Sequence, residues 1–265
     1  MNSLEPKTLV KKLKLTLEMN SVDFEKVIID LGQVDAVNRR AEGYLFSIDD
    51  HIGAMILSML SNQRPWEPIA RNMGKLEEIF CKYNHKKLEK TNPHELVYKV
   101  KSIQCGNRAI NKQMESLKHN IGVFKKIEAQ HDSIDMFITK YEPEKVAKIL
   151  SDFGSPYKLK QIGYPLAMEY LKNVGVIGMK PDVHICRICG PERLKIFSSI
   201  NNLDKIAESF KKFARDTGYS ITYLDNLFWI FGAKNYGYIC SSKPNCIESN
   251  CQLKEYCNYP KYVNL

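Results

Sequence analysis

The chain has 265 residues and a formal charge of +9 at neutral pH, long enough for one large domain or two modest ones with a real core. No apolar run approaches the roughly 20 residues that span a bilayer, which excludes an ordinary helical membrane protein. The basic balance points to a polyanionic partner, nucleic acid being the commonest, although a generally lysine-rich chain also explains it.

The pattern is helical from the start. Residues 5–19 carry Leu9, Val10, Leu13 and Leu17 at helical spacing, with lysines on the opposite face. Residues 22–31 repeat the pattern, and Gly32 is placed to stop that helix. Asp49 and Asp50 are expected to cap a third helix containing Ile52, Met55, Ile56, Met59 and Leu60. The segment 143–153 starts with Pro143 and stops near Gly154, and Ser155-Pro156 is expected to open a very short helix. No Asn-Gly hairpin signal, repeat or Pro/Gly/Ser-rich linker occurs, so a second domain must be built from segments packed together.

The last twenty-six residues hold four of the eight cysteines, Cys240, Cys246, Cys251 and Cys257, with five, four and five residues between them. Four thiolates on one short loop can close around a metal centre. No secretory signal precedes them, so a reducing compartment and metal binding are expected rather than disulfides. Spacing alone leaves zinc and an iron–sulfur cluster open. Cys186 and Cys189 form a Cys-x-x-Cys on one helical face and read as buried structural thiols.

Two further blocks lie upstream. Residues 159–167 read Leu-Lys-Gln-Ile-Gly-Tyr-Pro-Leu-Ala, and seventeen residues after Pro165 stands Asp182, within Pro-Asp-Val-His-Ile-Cys-Arg-Ile. Together they resemble the helix–hairpin–helix and following aspartate of the endonuclease III-like DNA glycosylases, whose blocks run Leu-Pro-Gly-Val-Gly-x-Lys-x-Ala and Val-Asp-Thr-His-x-x-Arg. The run Leu227–Gly232 leading into Cys240 is similar to that family's approach to its cysteine loop, although the family spacing is six, two and five. Residues 56–63, ending in Gln63, resemble the block whose glutamine enters the gap left by an extruded base. Residues 103–109, with Asn107 and Arg108, resemble a second loop that wedges into the duplex. The matches fall in family order over about residues 45–260.

The resemblance implies an all-α, two-lobed helix–hairpin–helix glycosylase fold with a C-terminal iron–sulfur loop. Residues 44–176 would form a helical barrel-like lobe, and residues 1–43 with 177–265 the cluster lobe. It implies a [4Fe–4S] cluster, with zinc as the alternative, on Cys240, Cys246, Cys251 and Cys257. Gln161, Ile162, Gly163 and Tyr164 would meet a DNA phosphate through backbone N–H groups, Gly163 supplying the turn. Gln63, Asn107, Arg108 and Lys243 would also contact DNA. Asp182 would stabilise the oxocarbenium-like sugar or orient a water; taken alone, Pro181-Asp182 reads as a helix cap. Lys158 and Lys160 would face solvent or phosphate.

Two departures refine the expectation. Pro165 occupies the place of the family's Schiff-base lysine, so a monofunctional, water-using DNA N-glycosylase with doubtful AP-lyase activity is implied. Ser58 occupies the position of the glutamate of the adenine-removing members, which disfavours that substrate. Tyr164 and Trp66 could stack on a flipped base, but isolated aromatics are more often core or phosphate-facing. The expected partner is double-stranded DNA with a damaged or mismatched base. The protein is expected as a monomer in the cytoplasm, nucleoid-associated if prokaryotic, with no membrane association. The alternative is a catalytically inactive protein of this fold that binds lesions or abasic sites.

Overall fold

The computed structural model describes residues 4–259. They fold into helices α1 Pro6–Met19, α2 Phe24–Asp30, α3 Gln33–Ala41, α4 Ile48–Leu60, α5 Glu67–Arg71, α6 Met73–Ile79, α7 His85–Leu88, α8 Pro93–Ser102, α9 Ile110–His131, α10 Ile134–Thr139, α11 Pro143–Ser151, α12 Tyr164–Asn173, α13 Val183–Cys189, α14 Leu203–Thr217 and α15 Ile221–Gly232. No strand occurs among the described residues, and none of their helices is long and apolar enough to cross a membrane.

The chain divides into two compact units, residues 35–178 and residues 1–34 with 179–265. The division expected at 44 and 176 thus falls at 35 and 178. Its cause is α3, which belongs to the central unit. Ala36 sits in that core, and Arg40 donates to Val174 O through Nε (3.0 Å) and Nη2 (2.6 Å). Gly175 is left-handed at φ +73, and a Cβ there would lie 2.2 Å from Ala36 O, so only glycine fits.

In the central unit α4 is the axis. Ile52, Met55, Ile56, Met59 and Leu60 are all fully buried, each contributing about 1.5–3 kcal/mol over an exposed position. It packs on α9 and α12, and Ser58 Oγ donates to Leu166 O at 2.6 Å, so Ser58 is a buried structural group. The cap of α4 is not the expected Asp49 or Asp50 but Ser47. Its Oγ accepts from Asp50 N while the Asp50 carboxylate accepts from Ser47 N at 2.8 Å, a reciprocal capping box. Asp49 instead accepts from His85 N (2.9 Å) and Asn84 Nδ2 (3.1 Å) at the start of α7.

In the other unit α15 packs on α2, α13 and α14, and α1 packs on α14. The core joins Leu13, Leu17, Ile188, Phe210, Leu227 and Phe228 to Cys240, Cys251 and Leu253 of the cysteine loop. The loop is therefore part of the packing, not an appendage. It is also pinned to α1: Asn20 Nδ2 donates to Ser249 O (2.8 Å), and Gln252 N donates to Thr16 Oγ1 (3.1 Å).

Candidate functional site

The cysteine loop leaves α15 by bending back on it, Ile239 N and Cys240 N both donating to Phe231 O at 3.0 Å. Cys251 N then bonds Cys246 O, and Cys257 N bonds Leu253 O. These turns bury Cys240, Cys251 and Cys257 and leave Cys246 partly exposed, all four as free thiols. The four feel one another electrostatically. The Cys246 thiol donates to the Cys251 sulfur, which raises Cys246 and lowers Cys251. Burial pushes Cys240 up to about 11 and raises Cys257.

Opposing that burial is a residue that sequence patterns do not single out. Arg193 is buried, with Nη1 2.7 Å from Cys240 Sγ and Nη2 donating to Ser241 O at 2.8 Å. A buried guanidinium aimed at a sulfur favours thiolate. No three described His, Cys, Asp or Glu side chains converge to hold a single ion. An iron–sulfur cluster takes thiolate ligands, and the loop supplies four free cysteines, one of them beside a buried guanidinium. Of the pair expected to be buried, Cys189 is and Cys186 is partly exposed; burial raises both, Cys186 to about 11.

Asp182 lies in the same unit. Its Oδ1 accepts from His184 N (2.8 Å) and Ile185 N (3.0 Å), making it the N-cap of α13. The cap uses Oδ1 alone. His184 pairs with Arg187, Nδ1 to Nη2 at 3.0 Å, and burial lowers its pKa, so a neutral ring is favoured. Arg187 in turn donates through Nε to Cys240 O at 3.3 Å. The helix capped by Asp182 and the first cysteine are thereby tied through one side chain. Close packing permits this, since a Cβ on Gly232 would meet Ile188, His184 and Arg187 at 2.9–3.3 Å. Lys243 is exposed on the loop, and its carbonyl accepts from Ser241 Oγ.

In the central unit the hairpin differs from expectation. Ser155-Pro156 opens no helix. Lys158 N bonds Ser155 O and Tyr157 N bonds Ser155 Oγ, so residues 155–158 form a turn, and α11 and α12 are joined by residues 152–163. Gly163 does not supply the turn either. It is the extended N-cap of α12 (φ −92, ψ 173), while Gln161 takes the left-handed conformation at φ +61. Asn120 of α9 holds Lys160 on both sides, accepting from its N–H (2.7 Å) and donating to its carbonyl (3.0 Å). Lys158 is partly buried, and its ammonium donates to Leu159 O at 2.8 Å and to Ile162 O, folding it back on the connection. Gln161 and Gly163 are exposed, Tyr164 is half-buried against the core, and Ile162 is buried, its N–H donating to Leu159 O at 3.3 Å and its carbonyl accepting from Lys158. Pro165 is exposed in the first turn of α12, where its missing N–H costs nothing.

The two segments matched upstream meet in this unit. Gln63 and Gln104 are exposed and both left-handed, at φ +51 and +57. Arg64 joins their loops. Arg108 is exposed, but Asn107 is not a free side chain. Its Nδ2 donates to Met59 O (2.8 Å) and Gln113 Oε1 (3.1 Å), and its Oδ1 accepts from Ala109 N (2.8 Å), so it fastens the loop to α4 and α9. Trp66 packs against the core.

No family model, curated protein or solved structure matches the chain. What is established is a two-unit, all-helical basic protein with a four-thiol loop built into one core.

Proposed function

We propose that the protein is a DNA N-glycosylase, monofunctional, that hydrolyses the glycosidic bond of a damaged or mispaired base extruded from duplex DNA. The observation that carries this reading is the link from Asp182 to the cysteine loop: α13, capped by Asp182, holds Cys240 through Arg187. A carboxylate is thereby fixed on the element that a cluster would rigidify. In the reaction the Asp182 carboxylate, its Oδ2 outside the cap, faces positive charge developing on the sugar and orients the attacking water. A cluster would be held by Cys240, Cys246, Cys251 and Cys257 and would serve to stiffen the loop, with the Arg193 guanidinium beside the Cys240 sulfur. Pro165 has no amine, so water, not a lysine, is the nucleophile.

DNA is gripped mainly through its backbone by Lys and Arg on a chain of charge +9, which predicts steep salt dependence. The extruded nucleotide accounts for the exposed glutamine at position 63, which fills the gap left in the stack.

The test is a panel of duplexes, each with one defined lesion or mispair, analysed with and without alkali. Alkali-dependent cleavage of at least one duplex is expected. No cleavage of any duplex, with tight binding retained, would favour the inactive lesion-binding alternative. That alternative draws on Asp182 already being occupied as a cap.

A further inference from the structure

The unit that carries the cysteine loop also holds a cavity of about 570 Å³, the size of a small-molecule site. Leu9 of α1 and Phe213 of α14 form apolar walls with Leu194 and Ile196 of the segment after α13. The Lys195 ammonium and the Ser209 and Tyr256 hydroxyls also line it, and none of these three groups has a hydrogen bond or ion pair among the described residues. Lys212 lines it too, but Asp216 stands 3.0 Å from its ammonium. Two lysines and one aspartate leave the lining with a single net positive charge, that of Lys195. Lys12 adds to the positive field, standing 5.3 Å over the Tyr256 ring. The wall that carries Lys195 is fixed from two sides. Lys195 is left-handed at φ +56, a costly backbone for a residue with a side chain, and its N–H donates to Gly190 O at 3.0 Å. From the cysteine loop, Asn258 donates from N to Arg193 O (3.0 Å) and from Nδ2 to Pro191 O (2.7 Å). Such preorganisation removes an ordering cost from binding.

We infer that this cavity binds a small amphipathic carboxylate. Its apolar body lies against Leu9, Leu194, Ile196 and Phe213, and its carboxylate pairs with the Lys195 ammonium. The Ser209 and Tyr256 hydroxyls are the further donors available to it. The positive lining selects an anion over an amine of the same shape, and the apolar walls select against a bare inorganic anion. The site bears on the cysteine loop as well. Arg193 precedes Leu194 and faces Cys240 Sγ at 2.7 Å, so a ligand against Leu194 braces the segment that holds that guanidinium. The cavity shares no residue with the DNA contacts proposed above.

The test is displacement of the fluorescent probe anilinonaphthalene sulfonate from the full chain by octanoate, octylamine and octanol, three heads on one apolar body. One saturable probe site per folded chain is expected. Octanoate should displace the probe, and octylamine should be weaker by at least about tenfold. Lys195→Gln should weaken octanoate about tenfold and leave octanol unchanged, since it removes a charge and no apolar wall. Ser209→Trp, which fills the cavity from a partly exposed position, should abolish probe binding while thermal unfolding shows the fold retained. Octanoate should also raise the unfolding midpoint of the native protein and not that of Ser209→Trp. Absence of a saturable site, equal displacement by octylamine and octanoate, or undiminished binding in Ser209→Trp would overturn the assignment. If Ser209→Trp fails to fold, Lys195→Gln, at an exposed position, decides: unchanged octanoate affinity there overturns the site.

Discussion

Arg40 closes on Asp135 with both ends of its guanidinium, Nη2 2.7 Å from Oδ1 and Nη1 3.1 Å from Oδ2. The same carboxylate accepts from Phe46 N at 3.2 Å, and His51 Nε2 stands 3.3 Å from Oδ1, close but out of line for a hydrogen bond. His51 Nδ1 meets Tyr170 OH at 2.8 Å. This chain of buried polar groups joins α3, α4, α10 and α12, and it is the main polar tie inside the central unit.

Acid should weaken that tie. Burial alone would raise Asp135, but His51 and Arg40 outweigh it and hold the carboxyl at about 2. Its folded pKa is below its unfolded value, so its stabilisation is complete above roughly pH 4 and is lost as pH falls toward 2. Burial likewise lowers His51, which adds a loss of stability as pH falls below about 6.5. Urea midpoints measured from pH 8 to pH 3 should fall continuously. A midpoint that is flat down to pH 4 would remove His51 from this account. Asp135→Asn should destabilise the unit at neutral pH, because it leaves the half-buried Arg40 guanidinium without its counter-charge.

The cysteine loop makes a prediction about composition. Purified protein should be yellow-brown with about four irons per chain. Cys251→Ser should lose the metal and also loosen the second core, since Cys251 packs with Leu253 there. Cys186→Ser should keep its iron. Arg193→Leu should lower iron retention, because the cation facing Cys240 Sγ is gone. Elemental analysis and absorbance check all three variants, and a colourless folded protein with one zinc would refute the cluster.

The connection between α11 and α12 predicts an inverted glycine rule. Gln161 is left-handed, so Gln161→Gly should be neutral or gain up to about 1 kcal/mol. Gly163 is extended, and nothing lies within 4 Å of an added Cβ, so Gly163→Ala should change thermal stability little. Asn120→Ala should cost more than either, since it releases two hydrogen bonds to Lys160. A large loss from Gly163→Ala would return the turn to that glycine.

What was legible in the sequence was mostly local. The leucines of α1, the Gly32 stop after α2, the apolar face of α4 and the cap at Asp182 follow from spacing and capping chemistry. The hairpin turn was not, because the groups that set it are remote: Asn120 reaches it from forty residues away. Arg64 and Arg193 were equally silent. Each is a single basic residue whose partners, carbonyls or a sulfur, lie forty or more positions distant. Asn107 misled for the same reason, since a polar loop residue looks free until its partners on α4 and α9 are known.

Asp182 separates cap from chemistry. Asn keeps the size of Asp and can accept the amides of His184 and Ile185, so Asp182→Asn should retain the fold and the DNA affinity. It removes the negative charge, so single-turnover base excision should fall by roughly two or more orders of magnitude. Asp182→Ala should lose the cap as well, at a cost of about 1 kcal/mol in stability. The two variants together separate the roles: equal excision defects with unequal stability assign the chemistry to the carboxylate charge. Excision at the wild-type rate in Asp182→Asn would leave the residue as the cap of α13 and nothing more.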